Sequence, residues 1–258
     1  MIKAERPWAE GPLLAFDLET TGTDTATDRV VTASVIAIEP GQPPVTRNWL
    51  ADPGVEIPTG AAEVHGISTE HAREHGQDAA TVVAEVERTL SAWGATTPLI
   101  AYRACFDLSV LHAELHRHHG RELELAGPVV DPFCIDKAVD RYRKGKRTLT
   151  ALCEHYAVPL QDAHTSAADA LATARLTWKL AKTYPEQVGT VPLAALHEQQ
   201  IGWWRTQTES FADYLDRQAS KAGDPAEAQR LRQRAAGVRE EADGWPLQRR
   251  TQPQPTGP

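Results

Sequence analysis

The sequence predicts an α/β fold in which helices flank a mixed β-sheet, followed by a C-terminal helical extension. Two patterns support this prediction. A short apolar run, a segment rich in Val and Ile and a third strand-like segment come first, and strand-like segments then alternate with amphipathic ones. The 258 residues, 41% of them hydrophobic and 24% charged, suffice for one domain with a sizeable core and an appendage.

The first part of the chain is expected to form an antiparallel meander. Its three predicted strands are Leu13–Thr20, Arg29–Glu39 and Val45–Leu50. Two shorter strands are expected further on, at Pro98–Tyr102 and Val129–Val130. The predicted helices are Asp78–Trp93, Asp107–His119 and segments at about 132–143, 148–157 and 165–183. This order predicts a mixed five-stranded sheet with helices on both faces.

The chain changes in character after Pro185. Side chains at spacings of three and four then indicate a long amphipathic helix; they are Ile201, Trp204, Thr208, Phe211 and Leu215. Asp224 and Pro225 supply an N-cap and a first-turn proline for a second helix through about Glu241. We therefore expect an N-terminal arm (1–10), a main domain (11–185), a helical extension (190–242) and a disordered, proline-rich tail (243–258).

Composition and charge exclude several classes of protein. The net charge of −8 argues against broad electrostatic capture of nucleic acid, but it allows a polyanionic substrate if acidic side chains hold cations. No apolar run approaches the ~20 residues of a membrane span, and Met1–Pro7 lacks the apolar stretch of a secretory signal. Cys105, Cys134 and Cys153 form no CxxC pair. We expect a cytoplasmic protein without a membrane partner.

Two carboxylates lie at the end of the first predicted strand. Asp17 and Glu19 are two residues apart, so their side chains point to the same face of the strand. Neighbouring carboxylates after an apolar run repel each other unless a cation or a proton intervenes. Alone, such a pair is more often two exposed acids. Here Thr20-Thr21-Gly22 follows as a turn that lets the backbone approach a ligand.

Asp107, His164 and Asp169 are weak signals when they are taken separately. Asp107 follows a predicted strand and opens a helix, where a simple N-cap is an equally good interpretation. His164 and Asp169 are five residues apart and would lie about 140° apart on one continuous helix. They converge only if His164 lies on the loop before the helix and Thr165 is its N-cap.

Together, the four carboxylates and the histidine are typical of a site for two divalent ions and a general base. Hard ions such as Mg²⁺ and Mn²⁺ prefer carboxylate oxygens. Two such ions ~4 Å apart can stabilise both the attacking and the leaving oxygen of a phosphoryl displacement. An imidazole, a group that ordinarily titrates near neutral pH, is suited to deprotonate the attacking water.

These motifs resemble those of the DEDDh family of 3′→5′ exonucleases, the DnaQ-like group. Phe16–Gly22 matches the first exonuclease motif residue for residue, and Ile100–Leu111 resembles the second. His164–Leu176 resembles the third, whose histidine defines the subtype. Val64–Ile67 resembles a segment that lies beside the terminal nucleotide in relatives. The resemblance covers about residues 11–184 and implies a ribonuclease-H-like fold.

The resemblance also implies a role for each motif residue. Two Mg²⁺ or Mn²⁺ ions would be bound by Asp17, Glu19, Asp107 and Asp169. His164 and Glu19 would be catalytic, with His164 as the general base. The 3′-terminal nucleotide would be surrounded by Leu18, Thr20, His65 and Phe106. The expected activity is release of nucleoside 5′-monophosphates from single-stranded 3′ ends, with DNA, in repair or proofreading, favoured over RNA.

Several features leave alternatives open. Arg103 stands where relatives usually have asparagine; it could point away from the site, contact a substrate phosphate or pair with Asp107. The basic run Arg141–Arg147 is either a solvated helix end or a site for phosphates upstream of the scissile bond. Trp203 and Trp204 could serve packing, base stacking or partner binding. A protein partner on the C-terminal helices, and a non-catalytic binding module, are the competing functional hypotheses.

Overall fold

The computed structural model describes residues 6–161 and 163–249 and contains a mixed β-sheet. Its six strands are β1 (Leu13–Thr20), β2 (Val30–Ile38), β3 (Val45–Asp52), β4 (Gln77–Asp78), β5 (Leu99–Ile100) and β6 (Val129–Val130). Their order across the sheet is β4-β3-β2-β1-β5-β6. Strand β2 is antiparallel to β1 and β3, and the other neighbouring pairs are parallel. All five predicted strands are therefore present.

The edge strand β4 is an addition to the predicted five. Its two residues are polar and exposed, and they pair only with Ala51 and Asp52 at the end of β3. Because the strand is so short and buries no apolar side chain, no hydrophobic alternation marks it in the sequence.

Helices cover both faces of the sheet, as predicted. The α-helices in the described residues are α1 (Thr59–His65), α2 (Thr69–His75), α3 (Ala79–Ser91), α4 (Ala104–His119), α5 (Pro132–Val139), α6 (Leu149–His155), α7 (Ser166–Thr183), α8 (Leu193–Ala219) and α9 (Pro225–Glu240). The short helices α1 and α2 were not predicted. Helix α4 begins three residues earlier than expected, so Asp107 lies in its first turn. Among the described helices, none combines the length and the apolar character needed to cross a bilayer.

The alternation of side chains along β1 divides the core into two layers. Leu14, Phe16 and Leu18 face the layer formed with α3 and α4. Leu13 and Ala15 face the opposite layer, which contains α7. Each large side chain buried in this way contributes roughly 1.5–3 kcal/mol to folding.

Helix α7 is held against the sheet by a polar contact at its first residue. Ser166 is buried, its Oγ lies 2.7 Å from the Oγ of Ser34, and it accepts a hydrogen bond from the hydroxyl of Thr32 at 3.1 Å. Both partners lie on β2. The start of α7 is therefore fixed beside the carboxyl end of β1.

Of the two C-terminal helices, α8 packs against the sheet at β6, and α9 packs against α8. Gln200 of α8 is fully buried; it donates a hydrogen bond to the carbonyl of Val129 and accepts one from the amide of Asp131. Trp204 packs at the edge of the core that contains α3 and α4. Helix α9 follows the predicted N-cap Asp224, whose side chain accepts a hydrogen bond from the amide of Ala226.

Residues 243–249 are ordered, which corrects the prediction of a disordered tail over 243–258. Trp245 is only 4% exposed and packs against the ring of His197, with 5.1 Å between centroids. The amide of Gln248 donates a hydrogen bond to the hydroxyl of Ser109. The polar and proline-rich composition of this segment gave no indication that Trp245 and Gln248 contact the rest of the fold. The remaining tail residues, 250–258, lie outside the described residues.

The N-terminal arm is also partly packed. Trp8–Glu10 forms one turn of 3₁₀ helix, in which Ala9 is buried. The indole nitrogen of Trp8 donates a hydrogen bond to the carbonyl of Val188. Residues 1–5 of the predicted arm lie outside the described residues.

Candidate active site

Three carboxylates from two elements meet at the carboxyl end of β1. Asp17 and Glu19 share one face of β1, and Asp169 lies in the first turn of α7. One oxygen atom of each lies within 4.8 Å of the others. Asp169 Oδ1 is buried and has no hydrogen-bond partner among the described residues. Oxygen ligands at this spacing are the set that a hard divalent cation prefers.

Asp107 borders this cluster from the opposite core layer. It is 4% exposed in the first turn of α4, and its Oδ1 accepts a hydrogen bond from the amide of Leu18 at 2.9 Å. Leu18 lies between Asp17 and Glu19 on β1. The structure therefore places all four predicted carboxylates in one region, three of them in direct proximity and Asp107 joined through the backbone of β1.

The electrostatics of the cluster are those of a site that needs a cation. Burial raises the pKa of Asp17 and of Asp107 well above the ordinary value, and the neighbouring carboxylates raise the pKa of Asp17 further. Burial and then the charge of Asp169 raise the pKa of Glu19 to about 7. Burial also raises the pKa of Asp169. Because these carboxylates resist ionisation together, the donor set fits divalent metal ions.

The loop before α7 has the arrangement that the sequence predicts. His164 lies on this loop with a φ of 72°, and its amide donates a hydrogen bond to Asp169 Oδ2 at 3.3 Å. Thr165 is the N-cap of α7, and its side chain accepts a hydrogen bond from the amide of Ala168. His164 is exposed at the rim of the carboxylate cluster.

Thr20 and His65, two of the four residues expected around a nucleotide, lie next to each other. Burial lowers the pKa of His65, against a smaller raising effect from the backbone of Thr20. His65 Nδ1 accepts a hydrogen bond from the amide of Ile67. Its Nε2 is buried and has no hydrogen-bond partner in the described part of the chain. The hydroxyl of Thr20 donates a hydrogen bond to the carbonyl of Gly22.

Phe106 and Leu18, the other two residues expected around the nucleotide, differ in how much of their side chains a ligand can reach. Phe106 is partly buried and lines a cavity of about 340 Å³ together with Arg103 and Trp204. Leu18 packs into the core with 6% exposure, and its amide donates a hydrogen bond to Asp107 Oδ1. The side chain of Leu18 therefore has little surface left for a nucleotide.

Asp131 organises the site but was not singled out in the sequence. Its buried carboxylate accepts hydrogen bonds from the amides of Arg103 and Ala104 at the start of α4, and from those of Phe133 and Cys134 at the start of α5. One side chain thus caps two helices. Its place before Pro132 indicates an N-cap for α5, but nothing local connects it with α4, 27 residues earlier.

Arg103 and two residues of the basic run make defined contacts. Arg103 has a φ of 54°, and its guanidinium lies over the ring of Phe133, 4.4 Å from the centroid. The ion pairs of the described residues do not join it to Asp107. Arg143 and Arg147 of the basic run pair with the buried carboxylate of Asp136, so these two cations are structural.

The raised pKa of Glu19 predicts that the metal-free protein becomes less stable as the pH rises. A folded-state pKa of about 7, above the ordinary 4.5, means that this stabilisation is complete below pH 4.5 and is lost as the pH passes through 7. We expect the melting temperature in EDTA to fall by a few degrees between pH 5 and pH 8.5. Added Mn²⁺ should remove most of this fall.

The variant Glu19→Gln is the control for this measurement, because it has no proton to lose. It should show a flatter melting profile in EDTA than the unmodified protein. Identical profiles for the two proteins would contradict the predicted role of Glu19.

A model of the exonuclease family (RNase_T) matches residues 14–177. Among curated proteins, the chain is similar to the PolC-type DNA polymerase III of Oceanobacillus iheyensis, with 26% identity over 185 residues. It is also similar to the PolC-type DNA polymerase III of Bacillus subtilis, with 28% identity over 185 residues. These alignments cover 72% and 71% of this chain but only 12% of each relative.

Solved structures of exonuclease I share the fold. Exonuclease I of E. coli in complex with a dT13 oligonucleotide superposes with a TM-score of 0.57 at 19% identity, over 68% of this chain and 42% of the other. Exonuclease I of Methylocaldum szegediense gives a TM-score of 0.55 at 23% identity, over 68% and 41% of the two chains. This likeness confirms the predicted ribonuclease-H-like architecture.

Proposed function

Because the chain belongs to the RNase_T exonuclease family, we propose that it hydrolyses single-stranded DNA from the 3′ end and releases nucleoside 5′-monophosphates. The observation that carries the proposal is the convergence of Asp17, Glu19 and Asp169, with Asp107 beside them. The dT13 complex of E. coli exonuclease I and the polymerase relatives support DNA over RNA as the substrate, and the proposed role is repair or proofreading. Buried, unpaired cysteines among the described residues support a cytoplasmic location.

The four carboxylates of the cluster would hold two Mg²⁺ or Mn²⁺ ions. When bound, such ions supply Lewis acidity at the attacking and leaving oxygens of the phosphodiester. His164 accepts the proton of the attacking water at its imidazole. The hydrogen bond from the His164 amide to Asp169 keeps the loop next to the carboxylates, and the exposure of His164 lets the proton pass on to solvent.

The terminal nucleotide would lie between β1 and the segments that carry His65 and Phe106. The unpartnered Nε2 of His65 supplies a polar contact, and the ring of Phe106 supplies an apolar surface. Leu18 acts indirectly, because its side chain belongs to the core and its amide holds the carboxylate of Asp107.

The direct test uses 5′-labelled 20-nucleotide DNA and RNA oligomers with Mn²⁺. We expect a ladder of products that shorten from the 3′ end, faster on DNA than on RNA. A DNA oligomer whose 3′ end is blocked by an inverted nucleotide is the control and should resist. Internal cuts, or no cuts, would refute the proposal.

Replacement of His164 by asparagine should reduce kcat by 10²- to 10⁴-fold, the usual contribution of a general base. Binding of a single-stranded oligomer, measured with Ca²⁺ in place of Mn²⁺, should stay within twofold of the unmodified protein. His75→Asn, at an exposed position outside the cluster, is the matched control. If His164→Asn keeps more than a tenth of the activity, another group accepts the proton.

A further inference from the structure

A continuous groove leads from the candidate site along the C-terminal helices. The cavity at Phe106 shares Arg103, Phe133 and Trp204 with a larger one of about 720 Å³. That cavity in turn shares Lys137 and Phe211 with a third, of about 450 Å³. One wall of the groove is α5, and the other is formed by α8 and α9.

The groove contains cations that lack carboxylate partners. Arg103, Lys137 and Arg234 line it, and the salt bridges formed among the described residues include none of the three. Two carboxylates also line the groove: Asp24 at its inner end, and Glu241 both there and in the larger cavity. The cations therefore outnumber the acids along the groove, although the whole chain carries a net charge of −8.

Aromatic rings accompany these cations. Phe133 carries Arg103 and Lys137 over its ring, at 4.4 and 5.1 Å from the centroid. Arg234 lies 5.5 Å from the ring centroid of Phe211. Phe211 and Tyr214 are 39% and 48% exposed, and their rings are nearly parallel, with 13° between planes. Exposed aromatic faces beside cations are the elements that bind single-stranded nucleic acid without sequence preference.

We propose that this groove binds the single-stranded polynucleotide upstream of its 3′-terminal nucleotide. Arg103, Lys137 and Arg234 contact the phosphates, and bases stack on Phe211 and Tyr214. The proposal rests on the proposed exonuclease function and assigns a role to the helical extension. Helix α8 is suited to it because the buried Gln200 anchors it to the strand β6.

The test compares Arg234→Glu with Arg232→Glu. Both residues are exposed on α9, and a separation of two residues places them about 200° apart around the helix, so only Arg234 faces the groove. Fluorescence anisotropy measures binding of a 20-nucleotide single-stranded DNA with Ca²⁺, which replaces Mn²⁺ to prevent turnover. We expect Arg234→Glu to raise Kd at least tenfold and Arg232→Glu to change it less than twofold.

A second variant separates stacking from charge. Phe211→Ala should raise the same Kd by roughly fivefold or more, since loss of one stacked base costs about 1–3 kcal/mol. For both groove variants, the loss should depend on length: turnover of a dinucleotide, which is too short to reach the groove, should change less than twofold. Melting temperatures should match the unmodified protein, because both side chains are exposed.

The outcomes separate this proposal from the proposed function. If oligomers are shortened but both groove variants bind DNA normally, the groove proposal is wrong and the exonuclease stands; a protein partner then becomes the better occupant. If DNA binds in a groove-dependent manner but is never shortened, the proposed function is wrong and the groove proposal stands. Equal losses for Arg234→Glu and Arg232→Glu would show nonspecific charge effects and overturn the groove.

Discussion

Asp17→Asn is expected to reduce kcat on single-stranded DNA by on the order of 10⁴-fold, even at saturating Mn²⁺. Asp17 is the carboxylate whose charge interacts with the three others, Asp107, Asp169 and Glu19. The substitution removes one carboxylate oxygen from the centre of the proposed metal site, while the amide keeps the shape of the side chain. The measurement is the initial rate of nucleotide release.

The same variant should not be less stable without metal. Burial and repulsion from the neighbouring carboxylates hold the pKa of Asp17 well above its ordinary value. The neutral amide therefore removes an unfavourable buried charge from the metal-free fold. In EDTA its melting temperature should equal or exceed that of the unmodified protein. With Mn²⁺, the unmodified protein should gain about 2.7 kcal/mol when the metal is at 100 times its Kd, and the variant should gain much less.

Asp52→Asn, on β3 and outside the cluster, is the control for this comparison. It should retain activity and the stabilisation by Mn²⁺. If Asp17→Asn instead melts well below the unmodified protein in EDTA, its lost activity would reflect a damaged fold rather than a lost ligand.

Asp131→Ala is expected to destabilise the protein by about 3–5 kcal/mol, a large part of the ~5–15 kcal/mol available to a typical protein. The carboxylate of Asp131 accepts hydrogen bonds from four backbone amides at the starts of α4 and α5, and it is fully buried. Alanine leaves these four amide donors without a hydrogen-bond partner. Because the position is buried, water does not readily replace the lost carboxylate. Urea unfolding, followed by circular dichroism, measures the change in the free energy of unfolding.

Asp224→Ala is the matched control, because Asp224 is also a helix N-cap but is exposed and bonds one amide. It should cost about 1 kcal/mol or less. Asp131→Asn keeps one acceptor oxygen and should give an intermediate loss. If Asp131→Ala and Asp224→Ala lower the free energy of unfolding by similar amounts, capping two helices with one carboxylate does not stabilise the protein more than an ordinary N-cap does.

The elements that carry the candidate site were predictable because their signals are local. The apolar run of β1 has the bounds that the sequence predicts, and its alternation places Asp17 and Glu19 on one face. The N-cap Thr165 likewise predicts the loop-and-helix geometry that joins His164 to Asp169. In each case, neighbours within a few residues determine the conformation.

Other elements carry too weak a local signal. The strand β4 has only two polar residues, and α1 and α2 have seven residues each. The segment 243–249 has the composition of a tail, but the burial of Trp245 holds it against the fold. Such segments adopt their structure because an already formed surface accepts them.

The sequence by itself determined the order of five of the six strands and seven of the nine α-helices in the described residues. It also determined the chemistry of four carboxylates with one histidine, and the resemblance to exonucleases. These properties depend on residue type and on spacing along the chain. Only the tertiary structure decided that Asp107 bonds to Leu18, 89 residues away, that Asp131 caps two helices, and that Arg103 and Arg234 line one groove. Contacts of this kind depend on how the helices pack against the sheet, which no local pattern encodes.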